Sequence, residues 1–111
     1  MNMKLEENGN VVVVIVKEER LDAHNSENLK LELGRLFNEG KTSVVVDLKE
    51  VRFIDSSGLG ALVSGFKNAS SRQAELKLSS LQSQVKSMFE LTRLHRVFDI
   101  YQTVDEAIDA F

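Results

Sequence analysis

Two rhythms of apolar residues divide this chain. Val11-Val12-Val13-Val14-Ile15-Val16 is apolar without alternation, which predicts a strand buried on both faces. Ser43-Val44-Val45-Val46-Asp47-Leu48 is a second short, β-branched run of the same kind. Asn8-Gly9 separates Met3–Glu7 from Val11–Lys17, a hairpin signal because turn residues there must tolerate positive φ. The helical rhythm appears in Leu29, Leu33, Leu36 and Phe37, where Asn25 or Ser26 can cap the start and Gly40 follows the end. It returns in Leu59, Leu62, Val63 and Phe66, predicting a helix from Ser57 to about Ser70. Leu76 and Leu78 alternate with Glu75 and Lys77, predicting a strand with one wetter face. Gln82–Leu91 reads as helix with Val85, Met88 and Phe89 inward, and Arg96–Tyr101 as a last short strand. Thr103-Val104-Asp105-Glu106 is a capping box opening a C-terminal helix with Ala107, Ile108 and Phe111 on one side.

After the hairpin, strands alternate with helices. The expectation is one α/β domain spanning residues 1–111. Its mixed sheet, mostly parallel, has four to five strands with an N-terminal hairpin, packed against about four helices.

Composition narrows the function classes. A hydrophobic fraction of 42% and a charged fraction of 28% are ordinary for a globular chain with a single core. No apolar run reaches membrane-spanning length, and the first residues lack signal-peptide character. The absence of Cys removes disulfides and thiolate metal sites, and the simplest compartment is the cytoplasm. With a net charge of −3 and scattered Lys and Arg, nothing in the pattern calls for nucleic acid.

Enzyme motifs fail on inspection. Gly58-Leu59-Gly60 lacks the third glycine of a dinucleotide loop, since Val63 stands there. Ile54 and Asp55 precede the serine pair, so there is no G-x-S-x-G elbow. Ser83-Gln84-Val85-Lys86 matches S-x-x-K without companion motifs, and His24 and His95 have no metal spacing.

The distinctive stretch is Ile54-Asp55-Ser56-Ser57-Gly58-Leu59-Gly60, where a loop enters a helix. A serine there can cap the helix, and the same place tolerates a phosphate, since free N–H groups and the positive end of the dipole converge on it. Ser56 is the expected cap and Ser57 the expected first helical residue. Gly58 and Gly60 are poor helix formers; close packing on the strand and access for a partner both account for them.

Asp47-Leu48, Val51–Ile54 and Asp55-Ser56-Ser57-Gly58-Leu59-Gly60 together resemble the signature of STAS domains, within them the bacterial anti-sigma factor antagonists. The resemblance runs over nearly the whole chain. It implies a non-enzymatic switch without cofactor. The unphosphorylated protein binds an anti-sigma factor serine kinase and frees a sigma factor. The ATP-dependent kinase phosphorylates Ser56 and ends the interaction, and a metal-dependent serine phosphatase resets it. Asp22, Asn25, Asp55, Ser57, Gly58, Leu59 and Gly60 fall on the implied partner surface, Asp22 alternatively being a structural turn residue. Glu19 departs from the pattern, which has Gly in that turn. Two alternatives stay open: a STAS scaffold module of another signalling complex, and a small domain binding an anion or nucleotide at the helix N-terminus.

Overall fold

The computed structural model describes residues 1–111. Strands β1 (Met3–Asn8), β2 (Val11–Val16), β3 (Arg20–Leu21), β4 (Ser43–Asp47), β5 (Phe53–Ile54), β6 (Glu75–Ser79) and β7 (Asp99–Tyr101) are accompanied by helices α1 (Ser26–Asn38), α2 (Ser56–Ser71), α3 (Ser83–Leu91) and α4 (Val104–Asp109). The main sheet has the order β1-β2-β4-β6-β7. Its first pair is antiparallel and its remaining pairs are parallel. This is the mixed, mostly parallel sheet with an N-terminal hairpin that the alternation predicted.

The hairpin turn sits one residue later than the Asn-Gly signal suggested. Asn8 pairs with Val11, leaving Gly9-Asn10 as the turn, and only Gly9 has positive φ (62°). Glycine at the first of two turn positions is the requirement of a type II′ hairpin.

All six residues of β2 are buried. Alternate residues Val12, Val14 and Val16 join the larger core under α1, α2 and α3, with Leu29, Leu33, Leu62, Val85 and Phe89. Val11, Val13 and Ile15 face the other way, with Val45, into a smaller cluster closed by Ala107 of α4. Covering both faces is what permits a strand with no polar position. The larger cluster holds 22 buried residues and the smaller five, so the helices on the first face carry most of the apolar burial.

Three expectations are corrected here. Lys77, assigned to a wetter face, is 3% exposed. On that face its ammonium meets Asp99 Oδ2 at 3.1 Å and Glu75 Oε2 at 3.2 Å and lies 4.9 Å from the centre of the Phe111 ring, which covers it. The last strand is confined to Asp99–Tyr101, because Leu94–Arg96 forms a 3-10 turn after Arg93 adopts φ 61°. Asn25 is the N-cap position of α1 but makes no capping bond with its side chain. Elsewhere Thr103 does cap α4, its Oγ1 accepting from Glu106 N at 3.1 Å.

Candidate functional site

The site is the N-terminus of α2 and the β3–α1 loop beside it. A two-stranded parallel ribbon, β3 with β5, joins them. The ribbon exists because Glu19 O accepts from Arg52 N (2.7 Å) and Phe53 N (3.1 Å), and Leu21 O accepts from Asp55 N (3.3 Å). Arg20 lies over the Phe53 ring at 4.3 Å, closing the outer side. Leu21 and Ile54 plug the ribbon into the core, at 0% and 1% exposure.

Holding Asp55 N against Leu21 O decides where the helix begins. Asp55 stays extended (φ −110°, ψ −173°), and its Oδ1 accepts from Gly58 N at 3.0 Å. Asp55 is therefore the N-cap, and Ser56, expected to be the cap, is the first residue of the helix, with Ser57 following it. Both hydroxyl-bearing residues are exposed, while Asp55 is half-buried. The cap satisfies one of the N–H groups that the first turn leaves without an intrahelical partner.

The two glycines separate. A Cβ on Gly58 would lie 2.4 Å from Leu21 O and 2.7 Å from Ile54 Cγ1, so this glycine lets α2 touch the β3 backbone. A Cβ on Gly60 would meet nothing within 4 Å. Packing explains the first and leaves the second as bare, exposed backbone.

The β3–α1 loop is organised by Asn25. Its Oδ1 accepts from Asp22 N (3.0 Å) and its Nδ2 donates to Arg20 O (2.8 Å), gripping the peptides on either side of Leu21. Asp22 Oδ1 accepts from His24 N at 3.0 Å, and Asp22 Oδ2 lies 3.5 Å from Arg20 Nε. Both readings of Asp22 keep their basis: it shapes the turn and remains half-buried at the surface. Glu19 does not have positive φ, so the turn accepts a side chain without backbone strain, and the side chain points to Arg52 at 3.9 Å.

The structure thus brings Asp22, Asn25, Asp55, Ser56, Ser57 and Gly60 to one surface. Gly58 and Leu59, expected on the partner surface, are buried beneath it, Leu59 at 4% exposure; they seat the helix and offer no side chain outward. Leu21 was missed by sequence reasoning. Its carbonyl fixes both the cap and the requirement for Gly58, yet a lone Leu in a polar loop signals only burial. Ser83 and Lys86 stand exposed on α3; His24 is in the β3–α1 loop and His95 in the turn before β7. No three His, Cys, Asp or Glu side chains cluster as a metal site, and no helix is long and apolar enough to cross a membrane.

Comparison with known proteins places this architecture. Residues 2–107 match the STAS domain family. The anti-sigma-B factor antagonist of Bacillus subtilis is 30% identical over 100 residues, covering 90% of each chain. An anti-sigma factor antagonist from Mycobacterium paratuberculosis has a crystal structure superposing with a TM-score of 0.88 at 24% identity, over 98% of this chain and 92% of that one. The Bacillus cell fate determinant SpoIIAA in its phosphorylated form has the same fold, with a TM-score of 0.75 at 22% identity over 98% of both chains.

Proposed function

Because the chain belongs to the STAS domain family, we propose that it is an anti-sigma factor antagonist switched by phosphorylation of Ser56. The unphosphorylated form binds an anti-sigma factor serine kinase and thereby frees a sigma factor. The kinase transfers phosphate from its own ATP to Ser56, which ends the interaction, and a metal-dependent serine phosphatase restores the binding form. The protein works in the cytoplasm as an interaction module and contributes no catalytic residue.

One observation carries this reading. Ser56 opens α2 with its side chain exposed, while the capping bond is made by its neighbour Asp55. Its hydroxyl is not consumed by the fold and is free to be modified. Asp22, Asn25, Asp55, Ser57 and Gly60 surround the same helix mouth and form the contact surface, with Gly58 and Leu59 holding it from below. A phosphoserine adds roughly −1.5 to −2 charges at the centre of that surface. If desolvating it costs about 3 kcal/mol, affinity falls about a hundredfold.

The test is phosphorylation by the partner kinase with ATP, mapped by peptide mass spectrometry. Wild type and Ser57→Ala should carry phosphate on Ser56, and Ser56→Ala should carry none while still binding the kinase. Since Asp55 is the cap, Ser56→Ala should keep wild-type stability within about 0.5 kcal/mol, whereas Asp55→Ala should lose about 1 kcal/mol. Phosphate on Ser57 of the wild type would overturn the assignment.

A further inference from the structure

The end of the sheet remote from Ser56 carries a second surface. Strands β4, β6 and β7 are parallel. The chain leaves the carboxyl end of β4 to reach Ser56, and it leaves the carboxyl end of β6 to enter α3. Helix α3 then returns it to the amino end of β7, so the α3–β7 turn lies at the opposite end from Ser56.

That turn is unlike the rest of the surface. Leu91 is 79% exposed and Val97 45%, two of only five large apolar side chains left exposed in the whole chain. The segment from Ser79 to Phe98 holds Lys86, Arg93 and Arg96 against the single carboxylate of Glu90, in a chain of net charge −3. Every other arginine has a side-chain partner: Arg20 has Asp22, Arg35 has Glu32 and Glu39, Arg52 has Glu19, and Arg72 has Asn68. Arg93 and Arg96 have none. Arg93 also occupies a left-handed position (φ 61°) just past the end of α3, where glycine is the residue that fits freely.

Beside the turn, a cleft of about 520 Å³ runs between α3 and β7, an edge strand of the sheet. Phe89, Phe98 and Ile100 give it an apolar lining, and Lys86 and His95 stand at its wall with two carboxylates, Glu90 and the Asp99 that Lys77 already holds at 3.1 Å. Exposed apolar side chains and two unpaired arginines therefore follow directly on a cleft with an apolar floor, and Lys86, Arg93 and Arg96 outnumber Glu90 and the already paired Asp99.

We propose that this surface docks an acidic protein segment bearing an apolar anchor, separately from the Ser56 surface. Charge complementarity selects the partner: unpaired arginines form bidentate bonds with carboxylates. The cleft takes the aliphatic side chain and supplies the desolvated centre that makes an interface selective. A lipid surface is the weaker fit, because recognition of anionic headgroups draws on clusters of four to eight cations. Because Arg93 and Arg96 are free in the folded chain, docking need break no internal ion pair.

The probe is a blocked ten-residue peptide of Glu with two Leu four positions apart, titrated into isotope-labelled full-length protein and followed by amide and methyl NMR shifts. Shifts should centre on Lys86, Phe89, Leu91, Arg93, Arg96 and Phe98, and weaken as salt is raised. Arg93→Glu with Arg96→Glu should cut affinity at least tenfold while the dispersed spectrum and phosphorylation of Ser56 stay unchanged. Leu91→Asn, which keeps the charges, should cut it severalfold. The proposal is overturned if the shifts centre elsewhere, if the Gln version of the peptide binds equally well, if the charge reversals leave affinity intact, or if phosphatidylserine vesicles bind in preference to the peptide. It is likewise overturned if sedimentation shows the surface occupied by a second copy of the chain.

Discussion

The two glycines of the α2 mouth should respond to the same substitution with opposite signs. Alanine in place of Gly in a helix gains about 0.5–1 kcal/mol, mainly by narrowing the unfolded ensemble. At Gly60 nothing lies within 4 Å of the new methyl group, so Gly60→Ala should realise that gain. For a domain of this size the melting temperature would rise by roughly 2–6 °C. At Gly58 the methyl would sit 2.4 Å from Leu21 O and 3.1 Å from its carbonyl carbon. Atoms in ordinary contact are about 3.3–3.6 Å apart, so helix or ribbon must move by roughly 1 Å. That carbonyl cannot move freely, since it accepts from Asp55 N at 3.3 Å and its neighbouring peptides are gripped by Asn25. Overpacking costs about 1–3 kcal/mol and weakening the Leu21–Asp55 bond about 0.5–1.5 kcal/mol. After the propensity gain, Gly58→Ala should be destabilised by about 1–3 kcal/mol, leaving the two variants about 2–4 kcal/mol apart. Urea unfolding of both, with equal m-values as the check on two-state behaviour, measures the difference. Phosphorylation kinetics add a second reading. Gly60→Ala leaves the fold intact, so any loss of kinase affinity reports steric exclusion at the contact itself. A Gly58→Ala protein as stable as Gly60→Ala would refute the close approach of α2 to β3.

Three further outcomes follow from particular residues. Asn25→Ala strips partners from Asp22 N and Arg20 O and should cost about 1–3 kcal/mol in urea unfolding, while Asn25→Asp, which keeps the acceptor, should cost less. Burial works to lower the Lys77 pKa, but hydrogen bonds to Asp99 and Glu75 outweigh it and hold the pKa above the ordinary 10.5. A raised lysine pKa gives stability that is fully present below pH 10.5 and lost as pH climbs through the folded value, so wild type should lose stability in alkali in excess of Lys77→Met. Glu19→Gly should bring no gain in melting temperature, because Glu19 is not held at positive φ and Gly only widens the unfolded ensemble; a large gain would show strain at that turn.

The strands and helices that bury long apolar faces were legible because burial is written locally. Six consecutive β-branched residues in β2 admit one arrangement, a strand covered twice, and the Leu29–Phe37 stripe fixes the inner face of α1. What was not legible depends on partners distant in sequence. The β3–β5 ribbon has two residues a side, too few for any periodicity, and its hydrogen bonds join Glu19 to Arg52. Asp55, Ser56 and Ser57 are three capping residues in succession; position in the sequence pointed to Ser56, and the bond from Asp55 N to Leu21 O makes the cap Asp55 instead. Lys77 follows the alternation of β6 correctly as to face. Alternation is silent about the cover, which α4 and Phe111 supply from the end of the chain.

The geometry of the α2 mouth also bears on how a charge added at Ser56 would act. Two effects compete within the free protein. The N-terminus of α2 favours a phosphate by about 0.3–1 kcal/mol. The cap carboxylate of Asp55, the adjacent residue, repels it, and between exposed charges in water such repulsion is about 1 kcal/mol at 4 Å before salt screening. These terms are of equal size and opposite sign, so phosphorylation should leave the fold nearly as stable as before. At a docked interface the balance changes. Water no longer screens the phosphate from Asp55, the half-buried Asp22 lies on the same surface, and at an effective dielectric of 20 the same repulsion rises to about 4 kcal/mol. An added charge that is close to neutral for folding is therefore strongly unfavourable for docking unless the partner supplies cations opposite it. The sign follows from Asp55 being the cap. Were Ser56 itself the cap, as its position in sequence suggested, phosphorylation would remove a capping hydroxyl and the fold would share the cost. With Asp55 → Asn the repulsion disappears while an oxygen acceptor for Gly58 N remains, so phosphorylated Asp55→Asn should bind the kinase more tightly than phosphorylated wild type. Equal affinities of the two phosphorylated proteins, measured by titration calorimetry, would show that desolvation alone and not repulsion from Asp55 sets the switch.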